Sequence, residues 1–152
     1  MRNESRELPM SLIRPLGAIK HRRVLVIGGG IAGIQAALDL AAMGLPVTLV
    51  EERPSLGGVM AQLDKTFPTN DCALCILSPK LLAISRHPDI ELVTSSRILR
   101  LEGEAGNFRA IGHHMPRYVD PARCTGCGEC TRVCPVKIPD PYNLGLTQTK
   151  AI

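Results

Sequence analysis

Apolar positions along the chain follow two periods in turn. Arg23-Val24-Leu25-Val26-Ile27 is a continuous β-branched run that stops at Gly28-Gly29-Gly30, the mark of a short buried strand. Ile31, Ile34, Ala37, Leu38, Leu40 and Ala41 then recur at helical spacing. They predict a helix over 31–43 with Gly44 as its C-terminal stop. Pro46-Val-Thr-Leu-Val-Glu51 reads as a second buried strand. Strand, glycine turn, helix and strand make one β-α-β unit, which calls for a parallel sheet.

Beyond it, residues 54–70 are loop-rich and carry Gly57-Gly58. A helix is predicted over 75–86, with Pro79 either in its first turn or breaking it. A third strand is predicted over 90–94. Residues 97–102 and 108–111 flank a Gly-Glu-Ala-Gly-Asn stretch, a hairpin signal. From Pro116 onward both periods fade. Residues 120–141 are rich in Cys, Gly and Pro, so their structure is expected to come from metal ligation. Residues 1–21 show neither period and contain Pro9 and Pro15, which reads as a flexible basic tail.

Composition narrows the possibilities without choosing among them. The 152 residues are 45% apolar and 21% charged, a globular balance. Aromatics are 3% with no Trp, which argues against base-stacking platforms. The net charge of +4 resides entirely in residues 1–23, and the rest is neutral, so no nucleic-acid footprint is expected. No apolar run has the roughly 18 residues of a membrane span, and none is shaped like a signal peptide. A cytoplasmic, reducing location is the expectation. Six cysteines are there more naturally metal ligands or redox groups than a disulfide framework.

Gly28-Gly29-Gly30-Ile31-Ala32-Gly33 satisfies G-x-G-x-x-G in the context that gives the pattern meaning. It follows a strand, opens a helix, and precedes Glu51, an acid 21 positions beyond Gly30. Gly28 permits the tight turn, Gly30 admits a pyrophosphate to the backbone, and Gly33 lets helix and strand pack closely. The helix N-terminus offers free N–H groups and positive dipole to phosphates. An acid at Glu51 disfavours a 2′-phosphate, so FAD or NAD is expected rather than NADP. Gly57-Gly58 resembles the pattern of FAD proteins with two dinucleotide domains, which favours FAD.

Cys124-Thr-Gly-Cys127-Gly-Glu-Cys130-Thr-Arg-Val-Cys134-Pro135 is C-x2-C-x2-C-x3-C-P, the bacterial ferredoxin run. Structural zinc would normally use two separated ligand pairs. Two thiols remain, Cys72 and Cys75, so the chain itself can complete at most one all-cysteine four-iron site. Cys72-Ala-Leu-Cys75 reads as a dithiol couple, as half of a metal site, or as two small buried residues at a helix start. His113-His114 reads as a surface turn. Lys65 or Lys80 could hold a cofactor phosphate, although solvated lysines are commoner. No Ser/His/Asp or paired-carboxylate arrangement is evident.

Residues 24–33, 50–58, Leu63-Asp-Lys-Thr-Phe-Pro-Thr-Asn-Asp-Cys72, Cys75-Ile-Leu-Ser-Pro-Lys80, 103–108, Pro116-Arg-Tyr-Val-Asp120 and the four-cysteine run together resemble the A-type iron–sulfur flavoprotein subunit of CoB–CoM heterodisulfide reductase. The resemblance covers residues 22–150 in order. It implies an α/β fold: a partial Rossmann-like, thioredoxin-reductase-like FAD-binding domain over 22–118, then a small ferredoxin-type [4Fe–4S] module over 119–152. It further implies that Gly28, Gly30, Gly33, Glu51 and Gly58 hold FAD, and that Cys124, Cys127, Cys130 and Cys134 hold the cluster. The implied function is passing electrons between flavin and cluster toward a disulfide-type acceptor, with partner subunits. Family members continue for several hundred residues, so a fragment, a split-gene half or a truncated product is expected. The alternative is a ferredoxin-like carrier or docking fragment that binds the cluster and not the flavin.

Overall fold

A computed structural model describes residues 23–152; the tail expected over 1–21 lies outside them. The described chain forms two compact units that divide between Met115 and Pro116.

In the first unit, strands β1 (Val24–Ile27), β2 (Val47–Val50) and β3 (Ile90–Val93) form a parallel sheet in the order β1-β2-β3. Helix α1 (Ile31–Ala42) connects β1 to β2, and α2 (Ala73–Arg86) connects β2 to β3. Parallel neighbours need such crossovers, because a strand must return to its starting end before pairing again. α1 ends by the rule its glycine signals. Gly44 N–H donates to the Ala41 carbonyl at 2.9 Å, and Leu45 N–H to Leu40 at 3.1 Å, a Schellman closure one residue past the Met43 cap. Ile34, Ala37 and Ala41 of α1, Val47 and Leu49 of β2, and Leu77 and Ile84 of α2 form the core.

Two expectations fail here for identifiable reasons. β2 is buried along its whole length, but among the described residues β1 lies at the sheet's edge and its Ile27 is 59% exposed. A continuous apolar run cannot report which of its neighbours are present. The second helix starts at Ala73, with Cys72 as its cap, and runs through Pro79 without breaking. Pro79 is a mid-helix residue and leaves the Cys75 carbonyl without its i+4 donor. Docking of Ala73, Leu77 and Ile84, all buried, holds the helix together on both sides of it.

Antiparallel strands β4 (Ser96–Glu104) and β5 (Asn107–His114) meet at Ala105-Gly106, a tighter turn than the five residues expected, with a register shift between Ile98 and Arg100. The second unit holds regular elements of its own where ligation alone was expected to order it. These are α3 (Glu129–Val133) and an antiparallel pair, β6 (Lys137–Pro139) with β7 (Gln148–Lys150).

Candidate functional site

The turn after β1 and the end of β2 converge at the N-terminus of α1. Gly28 N–H donates to the Val50 carbonyl at 2.8 Å, extending the sheet one residue into the turn. Gly28 then takes φ +102°, a conformation open to glycine, and the backbone swings away from the sheet. A Cβ on Gly28 or Gly30 would meet nothing within 4 Å, so both glycines face open space. Gly33 is the opposite case: a Cβ there would run into the Gly28 carbonyl oxygen. The turn therefore has an open face at Gly28 and Gly30 and close helix–strand packing at Gly33.

Gly57 and Gly58 join this turn. Gly57 N–H donates to the Gly29 carbonyl at 2.8 Å, and a Cβ on Gly58 would lie 2.9 Å from the Gly30 Cα. The glycine pair after β2 therefore packs directly on the glycine turn after β1. Gly30 caps α1 with no side-chain hydrogen bond, and the first turn carries no acid. Its N–H groups and the positive end of the helix dipole remain available to an anion.

Glu51 is 8% exposed, beside the turn. Its Oε2 accepts the Gly29 N–H at 2.5 Å and its Oε1 accepts the Arg53 N–H at 2.8 Å. Neither bond is visible in the motif, where Gly29 occupies a free position. It is not free: a Cβ on Gly29 would collide with Leu56 Cδ2 and approach Glu51 Oε2 to 3.0 Å. The signal is the third consecutive glycine, one more than the pattern needs. Two accepted N–H groups leave the carboxylate further lone pairs for ribose hydroxyls. β4 is tied to the same place, since Ser96 N–H donates to the Glu51 carbonyl at 2.9 Å.

In the second unit Cys124, Cys127, Cys130 and Cys134 are all free thiols, the first two exposed and the last two half-buried. Among the described residues they are not gathered into a metal-holding group. The local backbone nonetheless fits a cluster. Gly126 and Gly128 take φ +72° and +78°, which curls the chain between ligands, and α3 separates Cys130 from Cys134 by one turn. The Cys127 thiol is held below its usual range, first by the Glu129 backbone N–H and then by the Thr125 hydroxyl, both hydrogen-bonded to its sulfur. N–H donors aimed at a cysteine sulfur suit a thiolate that ligates iron.

Two other expectations are corrected. His113 lies in β5 and is 6% exposed, with its Nε2 unpartnered, and His114 Nδ1 pairs with the Ser96 hydroxyl at 2.7 Å. The hairpin runs past the point where its apolar pattern stops, so the pair is in a strand and not in a surface turn. Lys80 Nζ also donates to Gln35 Oε1, joining α2 to α1. Cys72 and Cys75 are both exposed and joined as a disulfide, which removes the reading as two small buried residues.

The fold is shared with a thioredoxin reductase from T. acidophilum (TM-score 0.51, 16% identity, 60% of this chain and 31% of that one). The FAD-dependent oxidoreductase family matches residues 23–71, and the 4Fe-4S binding domain family matches residues 117–140. These define the class, a chain that joins a segment of the FAD-dependent oxidoreductase family to a 4Fe-4S binding segment, with FAD and a [4Fe–4S] cluster as cofactors. A CoB–CoM heterodisulfide reductase iron–sulfur subunit of Methanopyrus kandleri, of the A type, is 56% identical over 130 residues, 86% of this chain and 20% of that protein. The corresponding subunit of the H2:CoB–CoM heterodisulfide,ferredoxin reductase of Methanothermobacter marburgensis is 50% identical over 144 residues, 93% of this chain and 22% of that protein. The chain belongs to the family of A-type iron–sulfur subunits of the CoB–CoM heterodisulfide reductases. It spans about a fifth of the length of these curated relatives. Among the described residues no helix is long and apolar enough to cross a membrane.

Proposed function

We propose that this chain is the part of an electron-transfer subunit that brings one FAD and one [4Fe–4S] cluster onto a single polypeptide. Gly28, Gly30, Gly33, Glu51 and Gly58 would hold the dinucleotide, and Cys124, Cys127, Cys130 and Cys134 the cluster. Residues 22–118 are taken as the flavin portion and 119–152 as the cluster module. The compact units that separate between Met115 and Pro116 support that division.

The observation that carries the reading is the open face at Gly28 and Gly30, set at an uncapped helix N-terminus and flanked by a buried carboxylate. When bound, the flavin supplies two-electron chemistry and the cluster one-electron chemistry. The residues of the chain then do three things. The N–H groups of the first α1 turn would bind the pyrophosphate. Glu51 orients the ribose while fixing the glycine turn through Gly29. The Glu129 backbone N–H at the Cys127 sulfur would donate to that thiolate when it holds iron. The electron route continues through partner subunits of a heterodisulfide-reductase-like complex to a disulfide-type acceptor, in the cytoplasm.

The test is cofactor content of protein purified without oxygen, for the unaltered chain and for Gly30→Ala and Cys124→Ala. Gly30→Ala is expected to lose flavin and keep iron, and Cys124→Ala to lose iron and sulfide. Iron without flavin in the unaltered chain would favour the carrier reading instead.

A further inference from the structure

Cys72 and Cys75 belong to neither set of cofactor residues, and they sit at the start of α2. Their sulfurs are joined across a single turn, with Cα atoms 5.2 Å apart. Cys72 is the cap of α2, and its Sγ accepts the Cys75 N–H at 3.2 Å. Ala73 and Leu77 turn the opposite side of the helix into the core, so both cysteines lie on its exposed side. The backbone fixes this corner independently of sulfur. Ala73 N–H donates to the Asp64 carbonyl at 3.1 Å, and Lys65 pairs with Cys72 in an isolated bridge.

A structural role does not account for the cross-link. It closes a loop with two intervening residues, inside a turn that helix and bridge bonds already hold. A loop that short restricts the unfolded chain far less than one joining distant elements. Exposure and the cap position suit reactivity better. A sulfur at a helix N-terminus, accepting a backbone N–H at the positive end of the dipole, is stabilised as thiolate. Here that sulfur belongs to Cys72.

We propose that Cys72–Cys75 is a thiol–disulfide exchange site acting on external disulfides and thiols, with Cys72 as the attacking sulfur and Cys75 as the resolving one. In the reducing direction the Cys72 thiolate attacks a disulfide R–S–S–R′. The Cys72–S–S–R bond forms, the R–S–S–R′ bond breaks, and R′–S⁻ leaves to take a proton from solvent. The Cys75 thiolate then attacks Cys72 Sγ, forming the intramolecular disulfide and expelling R–S⁻. Two electrons pass from the cysteine pair to the external disulfide, and the two thiol protons end on the released thiols. External dithiols or thiol pairs reverse the sequence.

The test uses the iron-loaded chain without oxygen, equilibrated in glutathione and glutathione disulfide at graded ratios. Differential alkylation and peptide mass spectrometry then read the state of Cys72 and Cys75 separately from the other four cysteines. The pair is expected to pass reversibly between dithiol and disulfide as the ratio changes. Cys75→Ser should accumulate glutathione on Cys72, roughly tenfold more than Cys72→Ser accumulates on Cys75, following the difference in thiolate character. A pair that stays oxidised at every ratio in folded protein would overturn the proposal, and that titration needs no variant. Equal or reversed trapping in variants that melt like the parent would also overturn it. So would a loss of bound iron when both cysteines are replaced, which would make them metal ligands.

Discussion

At the residue scale, the charge beside the glycine turn acts before any ligand arrives. Glu51 satisfies the N–H groups of Gly29 and Arg53 from a nearly buried position. Glu51→Ala would strand the Gly29 donor, a cost of about 1–3 kcal/mol. A fall of several degrees in melting temperature should follow, with a smaller fall for Glu51→Gln, which keeps one acceptor oxygen. A melt unchanged in Glu51→Ala would mean the carboxylate serves the ligand alone. The acid itself is legible from its spacing after the glycines; its bond to Gly29 is not. That bond joins positions 22 apart, with Gly29 closely flanked by Leu56 and Glu51. The four cysteines proposed to hold the cluster stand out in the sequence for a different reason: their spacing is that of a ferredoxin run. His113 misleads because strand continuation past Ile111 depends on its partner strand, which no local pattern records.

At the element scale, two glycines of one turn make opposite predictions. Gly33→Ala forces α1 away from the Gly28 carbonyl, and overpacking of that kind costs about 1–3 kcal/mol. Chemical denaturation should show it directly. Gly30→Ala adds its methyl to open space, at a backbone conformation any residue adopts, and should melt like the parent while losing flavin. If Gly30→Ala unfolded as readily as Gly33→Ala, the open face would not be a ligand face. α2 offers a third case. Leu77 is fully buried and lies beside Gly57, so Leu77→Ala should cost about 2–5 kcal/mol and loosen the second glycine loop with it. The existence of this helix is legible in its spacing. Its start at Ala73 is not, because a proline in the seventh position argues locally for a break that tertiary docking overrides.

At the scale of the whole molecule, the chain joins a parallel nucleotide-binding unit to a cysteine module within 152 residues. Its curated relatives are about five times longer. Among the described residues β1 is an edge strand, with Ile27 turned to solvent, which its apolar pattern did not foretell. A run of β-branched residues says that a strand prefers burial, and the number of neighbouring strands decides whether it is buried. What the two units hold together is read by one quantity: the ratio of flavin to iron to acid-labile sulfide in protein purified without oxygen. About one flavin with four irons and four sulfides is expected, the content of one [4Fe–4S] site. Flavin near zero beside full iron and sulfide would contradict dinucleotide binding by the first unit, and a chain with neither cofactor would contradict the roles of both units.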